Sequence, residues 1–551
     1  MNLLDRFLNR THFDDYDDFS RNIKVTVPDN FNFAYDVVDE YARLCPDKRA
    51  LVWANDKGEE KILTFGELKT LSDKAVNILL KNKLKKGDFV MTMLNRRYEY
   101  WILAVACHKL GVVIVPATHL LTPKDIAYRC NQAKVKLLFI TKETDVLEHV
   151  YYALPSCSTL QKVYCTEEAE GYFNLGRELE ESPSVLPDIS RPALNDLMLV
   201  YFTSGTTGMP KMVAHNFAYP VGHIMTAAYW QTVADDGLHF TMAETGWAKC
   251  SWGKIYGQWI AGSAVFVYDF NGRFTPTDIL PLISKYKITT FCAPPTIYRF
   301  LVKEDLSKFD FSSLTHCSTA GEALNAEIYN QFKEATGLSI YEGFGQTEST
   351  VILATFKYLN PVSGSLGKPS PIYRVEIIDD DENPLGPMQE GEIAILKYPD
   401  QFGLVCSYYG DEERTRSLIE DKYYHTGDLA YKDNDGWFWF VGRKDDIIKS
   451  SGYRIGPFEV ESALHEHPSV LECAITAAPD PLRGQIVKAT IVLAPGYTPS
   501  DALIKELQDH VKKATAPYKY PRIIEFVKEL PKTVSGKIRR VEIRQNDKNR
   551  Q

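Results

Sequence analysis

Residues 197–211, LMLVYFTSGTTGMPK, hold the chain's clearest set of phosphate-competent groups. An apolar run from Leu197 to Phe202 stops at Thr203-Ser204-Gly205-Thr206-Thr207-Gly208, and Pro210-Lys211 follow. Glycine lets a backbone turn through positive φ and come close to a ligand. Successive N–H groups in such a turn form an anion-binding concavity. The hydroxyls add donors and Lys211 adds a full positive charge, so the stretch suits a polyphosphate. A polar loop between two elements has the same composition, and short motifs also match by chance. The length of this run and the Pro-Lys that closes it favour phosphate. The Gly-Lys-[Ser/Thr] step of a P-loop is missing, because Lys211 follows Pro210 and precedes Met212. ATP is therefore expected, handled outside the P-loop architecture, and a P-loop kinase is excluded.

Five more stretches follow in order: TAGEAL (Thr319–Leu324), YEGFGQTES (Tyr341–Ser349), YHTGDLA (Tyr424–Ala430), GRKDDIIKSSGYRIGPFEVE (Gly442–Glu461) and PKTVSGKIRR (Pro531–Arg540). With YFTSGTTGMPK they span residues 201–540 and resemble the signatures of the AMP-forming adenylate-forming superfamily. That superfamily holds acyl-CoA synthetases, luciferases and the adenylation domains of peptide synthetases. TSGTTGMPKMVAH, TGW, SSGYRIGPFEVE and TAPYKYPR are similar above all to medium-chain acyl-CoA synthetases. The resemblance implies an ATP-dependent carboxylic acid:CoA ligase of fatty-acid and lipid metabolism. Acid and ATP would give acyl-AMP and pyrophosphate, and acyl-AMP and CoA would give acyl-CoA and AMP. A carboxylate is a poor electrophile, and bringing it to a triphosphate needs cations and preorganised donors.

The resemblance assigns those groups residue by residue. Lys211 and the loop Thr203, Ser204, Gly205, Thr206, Thr207, Gly208 would take the β- and γ-phosphates. Gly321-Glu322-Ala323 and Glu342-Gly343-Phe344-Gly345-Gln346-Thr347 would surround adenine and the α-phosphate, with Phe344 stacked on the base and Thr347 bonded to phosphate. Glu348 would hold magnesium, which accepts one or two carboxylates completed by phosphates and waters. Asp428 would bind both ribose hydroxyls, since a carboxylate accepts two hydrogen bonds at once. Arg443 would touch ribose or phosphate. Lys537 would reach the acyl carboxylate and the α-phosphate. Taken singly, each has an ordinary reading: surface lysines, a core aromatic, a solvated charge, an aspartate in a turn. Their order along the chain carries the assignment.

The same resemblance implies a small domain that rotates about Asp445 after adenylation. Rotation would withdraw Lys537 and present Ser451-Gly452-Tyr453-Arg454 to CoA, with Arg454 and Arg483 on its phosphates, which arginine grips bidentately. Trp247, Ala248, Gly321 and Gly345 would line the acyl pocket. Acetate-specific relatives carry Trp at the position of Gly345, so glycine is expected to open space for a longer, branched or aromatic acyl group. Lys249, in a divergent stretch 249–260, has no role on this reading.

These residues need a scaffold, and 551 residues exceed one ordinary domain. Residues 34–190 alternate helix-like and strand-like stretches, implying parallel sheets covered by helices. Thr64-Phe65-Gly66-Glu67 is a capping box, with Leu68, Leu71, Ala75 and Leu79 on one face after it. Residues 364–441 read as antiparallel and barrel-like. Leu471–Ala478, Ala489–Ala494 and Ile523–Val527 read as strands, and Thr498–Asp501 as a second capping box with Pro in the first turn. The expected fold is α/β plus β-barrel: a large N-terminal domain (1–442) of two doubly wound subdomains and a distorted barrel, a hinge (443–446), and a small mobile α+β C-terminal domain (447–551).

Net charge is −9, so no basic field invites nucleic acid or an anionic membrane. Apolar stretches such as Trp101–Cys107 are too short to span a bilayer. The acidic N-terminus lacks a signal-peptide core, and ten scattered cysteines without a CxxC pair suit reduced thiols. A cytoplasmic monomer or homodimer acting on a small carboxylic acid, ATP and CoA is therefore expected. Loading of a carrier-protein thiol is the alternative acceptor. A decayed acyl-CoA or nucleotide-binding protein is a third reading, disfavoured by intact Lys211, Glu348, Asp428 and Lys537. Nothing calls for luciferase-like oxygen chemistry.

Overall fold

The computed structural model describes residues 2–203, 209–272, 274–450, 453–532 and 537–550. Two sheets with parallel centres build most of it. The first runs, edge to edge, through Ser407–Tyr408, Lys211–Asn216, Leu197–Thr203, Val113–Pro116, Phe89–Met93, Val135–Ile140, Lys162–Cys165 and Phe173–Asn174. Six of these strands are parallel, and Leu197–Thr203 turns back antiparallel into Lys211–Asn216. Every residue of Phe89–Met93 and Val113–Pro116 is buried, as strands covered on both faces must be.

The second sheet has nine strands, with Ile340–Phe344, His316–Ala320, Thr290–Cys292, Leu238–Thr241, Ala264–Asp269 and Arg49–Asn55 parallel at its centre. One apolar core joins the two sheets: it contains Leu51 and Val265 from the second, Val90 and Ile114 from the first. Helix Glu99–Leu110, buried along its whole length, lies in that core. The Thr64 capping box forms as expected: Thr64 accepts from Glu67 N–H, Glu67 returns the bond, and helix Phe65–Lys81 follows.

A four-stranded antiparallel sheet, Arg374–Ile378, Gly391–Leu396, Tyr423–Lys432 and Phe438–Arg443, follows. Residues 448–526 then build a separate sheet from Ile448–Ser450, Tyr453–Ile455, Val470–Asp480, Gly484–Leu493 and Ile523–Phe526. Helices Pro457–His465 and Asp501–Ala514 cover it over a core of its own, including Ile475, Val487, Leu507 and Val511. The second capping box does not form. Ser500, not Thr498, caps the helix by accepting from Leu503 N–H, and Pro499 stands outside it. Serine is the stronger cap of the two, and it starts the helix so that Leu503, Leu507 and Val511 face inward.

Candidate active site

The carboxyl ends of parallel strands converge on one cleft, the usual place for ligands in open α/β sheets. Thr203 ends its strand paired with Lys211, and its buried hydroxyl has no partner among the described residues. Ser204, Gly205, Thr206, Thr207 and Gly208 lie outside the described residues. Lys211 Nζ stands 2.6 Å from Glu348 Oε1 and 4.7 Å from the centre of the Tyr408 ring. His215, on the same strand as Lys211, donates from Nε2 to the Thr347 carbonyl at 2.8 Å and stacks on Tyr219 at 3.8 Å. Burial pushes its imidazole down to about 4, so it is neutral at pH 7. The hairpin that carries Lys211 is thereby tied to the turn that carries Thr347 and Glu348.

Strand Ile340–Phe344 supports that turn. Glu342 points inward, where its Oε1 accepts from Leu324 N–H at 3.1 Å, and burial pushes its carboxyl up to about 8. It fastens the TAGEAL loop, with exposed Gly321 and Glu322 and half-buried Ala323, to the adjacent strand. Glu322 accepts from Thr296 Oγ1 at 3.0 Å. Phe344 is half-buried at the strand end. Gln346 is spent on protein: Nε2 donates to Asp428 Oδ2 at 2.6 Å and to Thr426 O at 2.7 Å, and Tyr424 donates to its Oε1 at 2.7 Å. Gln346 therefore orients Asp428 across the cleft.

Asp428 and Arg443 face one another in the antiparallel sheet, with Arg443 Nη1 3.4 Å from Asp428 Oδ1. Burial raises the Asp428 carboxyl, while Arg443, Gln346 and Lys537 pull it down. Lys537 also acts on Lys249, whose amine is lowered chiefly by burial, then by the Lys537 charge. The charge of the C-terminal lysine is therefore felt at both Asp428 and Lys249.

Lys249 packs where no role was foreseen. Gly321 has φ +105°, which favours glycine, and a β-carbon there would lie 2.5 Å from the Lys249 amine, so Lys249 reaches this turn. Trp247 is half-buried and Ala248 opens helix Ala248–Gly253. Gly345 does not open onto an empty slot: a β-carbon there would lie 2.4 Å from the Trp252 indole. A tryptophan from another element fills the space the glycine vacates. Trp230 abuts Gly343 in the same way and donates to the Tyr341 carbonyl at 3.0 Å. Beside these rings lies a small cavity lined by Trp230, Thr241, Lys249, Trp252, Cys292 and Ala320.

Around the expected hinge, Arg443 Nε is 3.5 Å from Asp445 Oδ1. Lys444 pairs with Glu392 (3.2 Å) and Asp380 (3.0 Å) of the antiparallel sheet. Asp446 pairs with Arg544 at 2.6 Å. Ser451 and Gly452 lie outside the described residues. Tyr453 and Gly484 both pair with Ser450, so Arg454 and Arg483 reach one edge of the small sheet. The exposed Tyr453 ring stacks on Tyr518 at 4.2 Å. Among the described residues no group of three His, Cys, Asp or Glu could hold a metal by itself, and no helix is long and apolar enough to cross a membrane.

Two sheets with parallel centres, an antiparallel sheet and a separate small C-terminal sheet, with Lys211 paired to Glu348 and Asp428 facing Arg443, make up the architecture of an adenylate-forming ligase. Residues 38–399 match the family described as AMP-binding enzyme, and residues 459–537 match the AMP-binding enzyme C-terminal domain. The chain belongs to this family. It is 44% identical over 556 residues to acyl-coenzyme A synthetase ACSM3, mitochondrial, of Homo sapiens, covering 98% of this chain and 94% of that one. It is 43% identical to human ACSM5, mitochondrial, over 95% and 91% of the two chains. Among solved structures, the anthranilate CoA ligase AuaEII with anthranoyl-AMP superposes with TM-score 0.87 at 28% identity, over 95% of this chain and 98% of that one. A Brucella canis acyl-CoA synthetase gives 0.74 at 30%, over 98% and 100%. The chain is an acyl-CoA synthetase, an AMP-forming ligase.

The expected cytoplasmic placement is overturned: the relatives ACSM3 and ACSM5 are mitochondrial enzymes. All ten cysteines are free, but free thiols report only a reducing compartment, and that property is not confined to the cytosol.

Proposed function

We propose that this ligase activates a compact carboxylic acid, with Lys537 and Lys249 converging on its carboxylate. The observation that carries the reading is the Lys537 charge, which acts on both Asp428 and Lys249. Asp428 and Arg443 take the ribose, Lys211 the outer phosphates, and Phe344 the adenine. An entering phosphate draws Lys211 from Glu348 and frees that carboxylate. One carboxylate beside a triphosphate suits magnesium, which completes its shell with phosphate oxygens and waters and would neutralise charge on the leaving pyrophosphate.

The compactness of the acid is read from Trp252 and Trp230, whose indoles stand against Gly345 and Gly343. The small domain then turns about Asp445, bringing Ser451–Arg454 and Arg483 to CoA. Asp445 suits a pivot because both its neighbours are anchored, Lys444 to the large part and Asp446 to Arg544. The test is pyrophosphate release with acetate, butyrate, isobutyrate, hexanoate, octanoate and benzoate, with and without CoA. Release is expected with the short and branched acids. A preference for octanoate would contradict the compact chamber.

A further inference from the structure

The loops leaving the two parallel sheets carry a pair that adenylation does not use. Glu244 lies between strand Leu238–Thr241 and helix Ala248–Gly253 and is 5% exposed. Its Oε1 accepts from His119 N–H at 3.0 Å and stands 3.1 Å from His119 Nδ1. Its Oε2 accepts from Thr118 Oγ1 at 3.0 Å and Trp247 Nε1 at 3.2 Å. A carboxylate only accepts, so in the neutral ring the hydrogen sits on Nδ1 and the lone pair on Nε2. Nε2 has no hydrogen-bond partner among the described residues. His119 is half-buried, just past the carboxyl end of Val113–Pro116.

Glu244 lies on the segment that joins Thr241 and Lys249, both of which line the small cavity beside Trp252. A β-carbon on Gly246 would lie 2.3 Å from Thr118 N, so the Trp247 turn is pressed against the His119 loop. Two residues after Trp247, Lys249 reaches Gly321 and the chamber. The other charged groups around the pair act through Glu244: Arg96 and Lys254, with the Cys250 thiol beside Lys254.

The two half-reactions differ in what they ask of such a group. The acid enters ionised, so adenylation moves no proton. Thioester formation releases one, and only a few per cent of an ordinary thiol is thiolate at pH 7. We propose that His119, oriented by Glu244, is the base that accepts the CoA thiol proton. As the S–C bond to the acyl carbon forms, the acyl C–O bond to phosphate breaks and AMP leaves with the electron pair. The thiol proton passes to His119 Nε2 and then to solvent. The step is redox-neutral and rests on the acid:CoA ligase activity of the chain.

The test separates the half-reactions in the full chain. His119→Gln is expected to release pyrophosphate from ATP and acid, without CoA, within about twofold of wild type, because the base acts only on the thiol. Single-turnover transfer from supplied acyl-AMP to CoA at pH 7 is expected to fall by about 10²-fold or more. In that variant transfer should rise about tenfold per pH unit from 6 to 8, as thiolate replaces the missing base. Glu244→Gln is expected to slow transfer more than pyrophosphate release. Transfer by His119→Gln with the wild-type rate or pH profile overturns the proposal. Equal loss of both half-reactions in both variants also overturns it. Because acyl-AMP is supplied, the transfer result stands whichever acid the chain activates.

Discussion

Trp252 shows how one side chain sets what the acyl chamber accepts. Its indole occupies the space beside Gly345. Trp252→Ala should therefore reopen the slot that the glycine alone suggests. Each added methylene that gains burial contributes about 0.8 kcal/mol, so kcat/KM for hexanoate over butyrate should rise by roughly fourfold per methylene. Steady-state pyrophosphate release on both acids checks this, and an unchanged ratio would show that Trp252 does not bound the chamber. Asp428, Arg443 and Lys537 were singled out in the sequence because each sits in a fixed motif, and the structure brings Asp428 and Arg443 together. Trp252 and Lys249 were not, since they lie in a stretch without a motif. Which cavity a side chain fills is decided by the packing of helix Ala248–Gly253 against strand Ile340–Phe344. His215 and Gln346 stood inside quoted motifs, yet their work is to hold Thr347 and Asp428, and only the distances reveal it.

Among the elements, strand Ile340–Phe344 carries a measurable electrostatic cost. Buried Glu342 has its pKa raised from 4.5 to about 8. The folded form therefore favours the protonated acid. The stability this contributes is complete below pH 4.5 and is lost as pH rises through about 8, because the unfolded chain ionises first. Glu342→Gln keeps an acceptor for Leu324 N–H and removes the titration. It should leave stability at pH 5 little changed and raise it at pH 8.5, by up to on the order of 3–5 kcal/mol. Urea unfolding at the two pH values measures this, and an equal effect at both would contradict a buried, neutral Glu342. Local signals foretold helix Phe65–Lys81 and strand Leu197–Thr203, because capping and apolar runs are local facts. The start of Asp501–Ala514 was misplaced because Thr498 and Ser500 are both competent caps, and the core beneath Leu503 and Leu507 chose between them.

At the scale of the whole molecule, the change of texture after Arg443 precedes the separate C-terminal sheet that begins at Ile448. How the two parts meet was not legible, since no sequence pattern tells that the Lys537 charge acts on both Asp428 and Lys249. Asp445 lies between anchored neighbours, so rotation there should be needed for thioester formation but not for adenylation. Asp445→Pro fixes φ near −65° and should restrict that rotation. It is expected to keep most pyrophosphate release and to lose acyl-CoA formation. Quantifying both products checks this, and undiminished acyl-CoA formation would rule out Asp445 as the pivot. The convergence of lysines from both parts on one acid is tested most directly by Lys537→Ala, assayed in each half-reaction. Pyrophosphate release should fall by about 10²–10³-fold, the cost of removing one charge-stabilising contact. Transfer from supplied acyl-AMP to CoA should remain close to wild type. Pyrophosphate release at the wild-type rate, or an equal fall in both steps, would contradict the placement of Lys537 at the adenylation site.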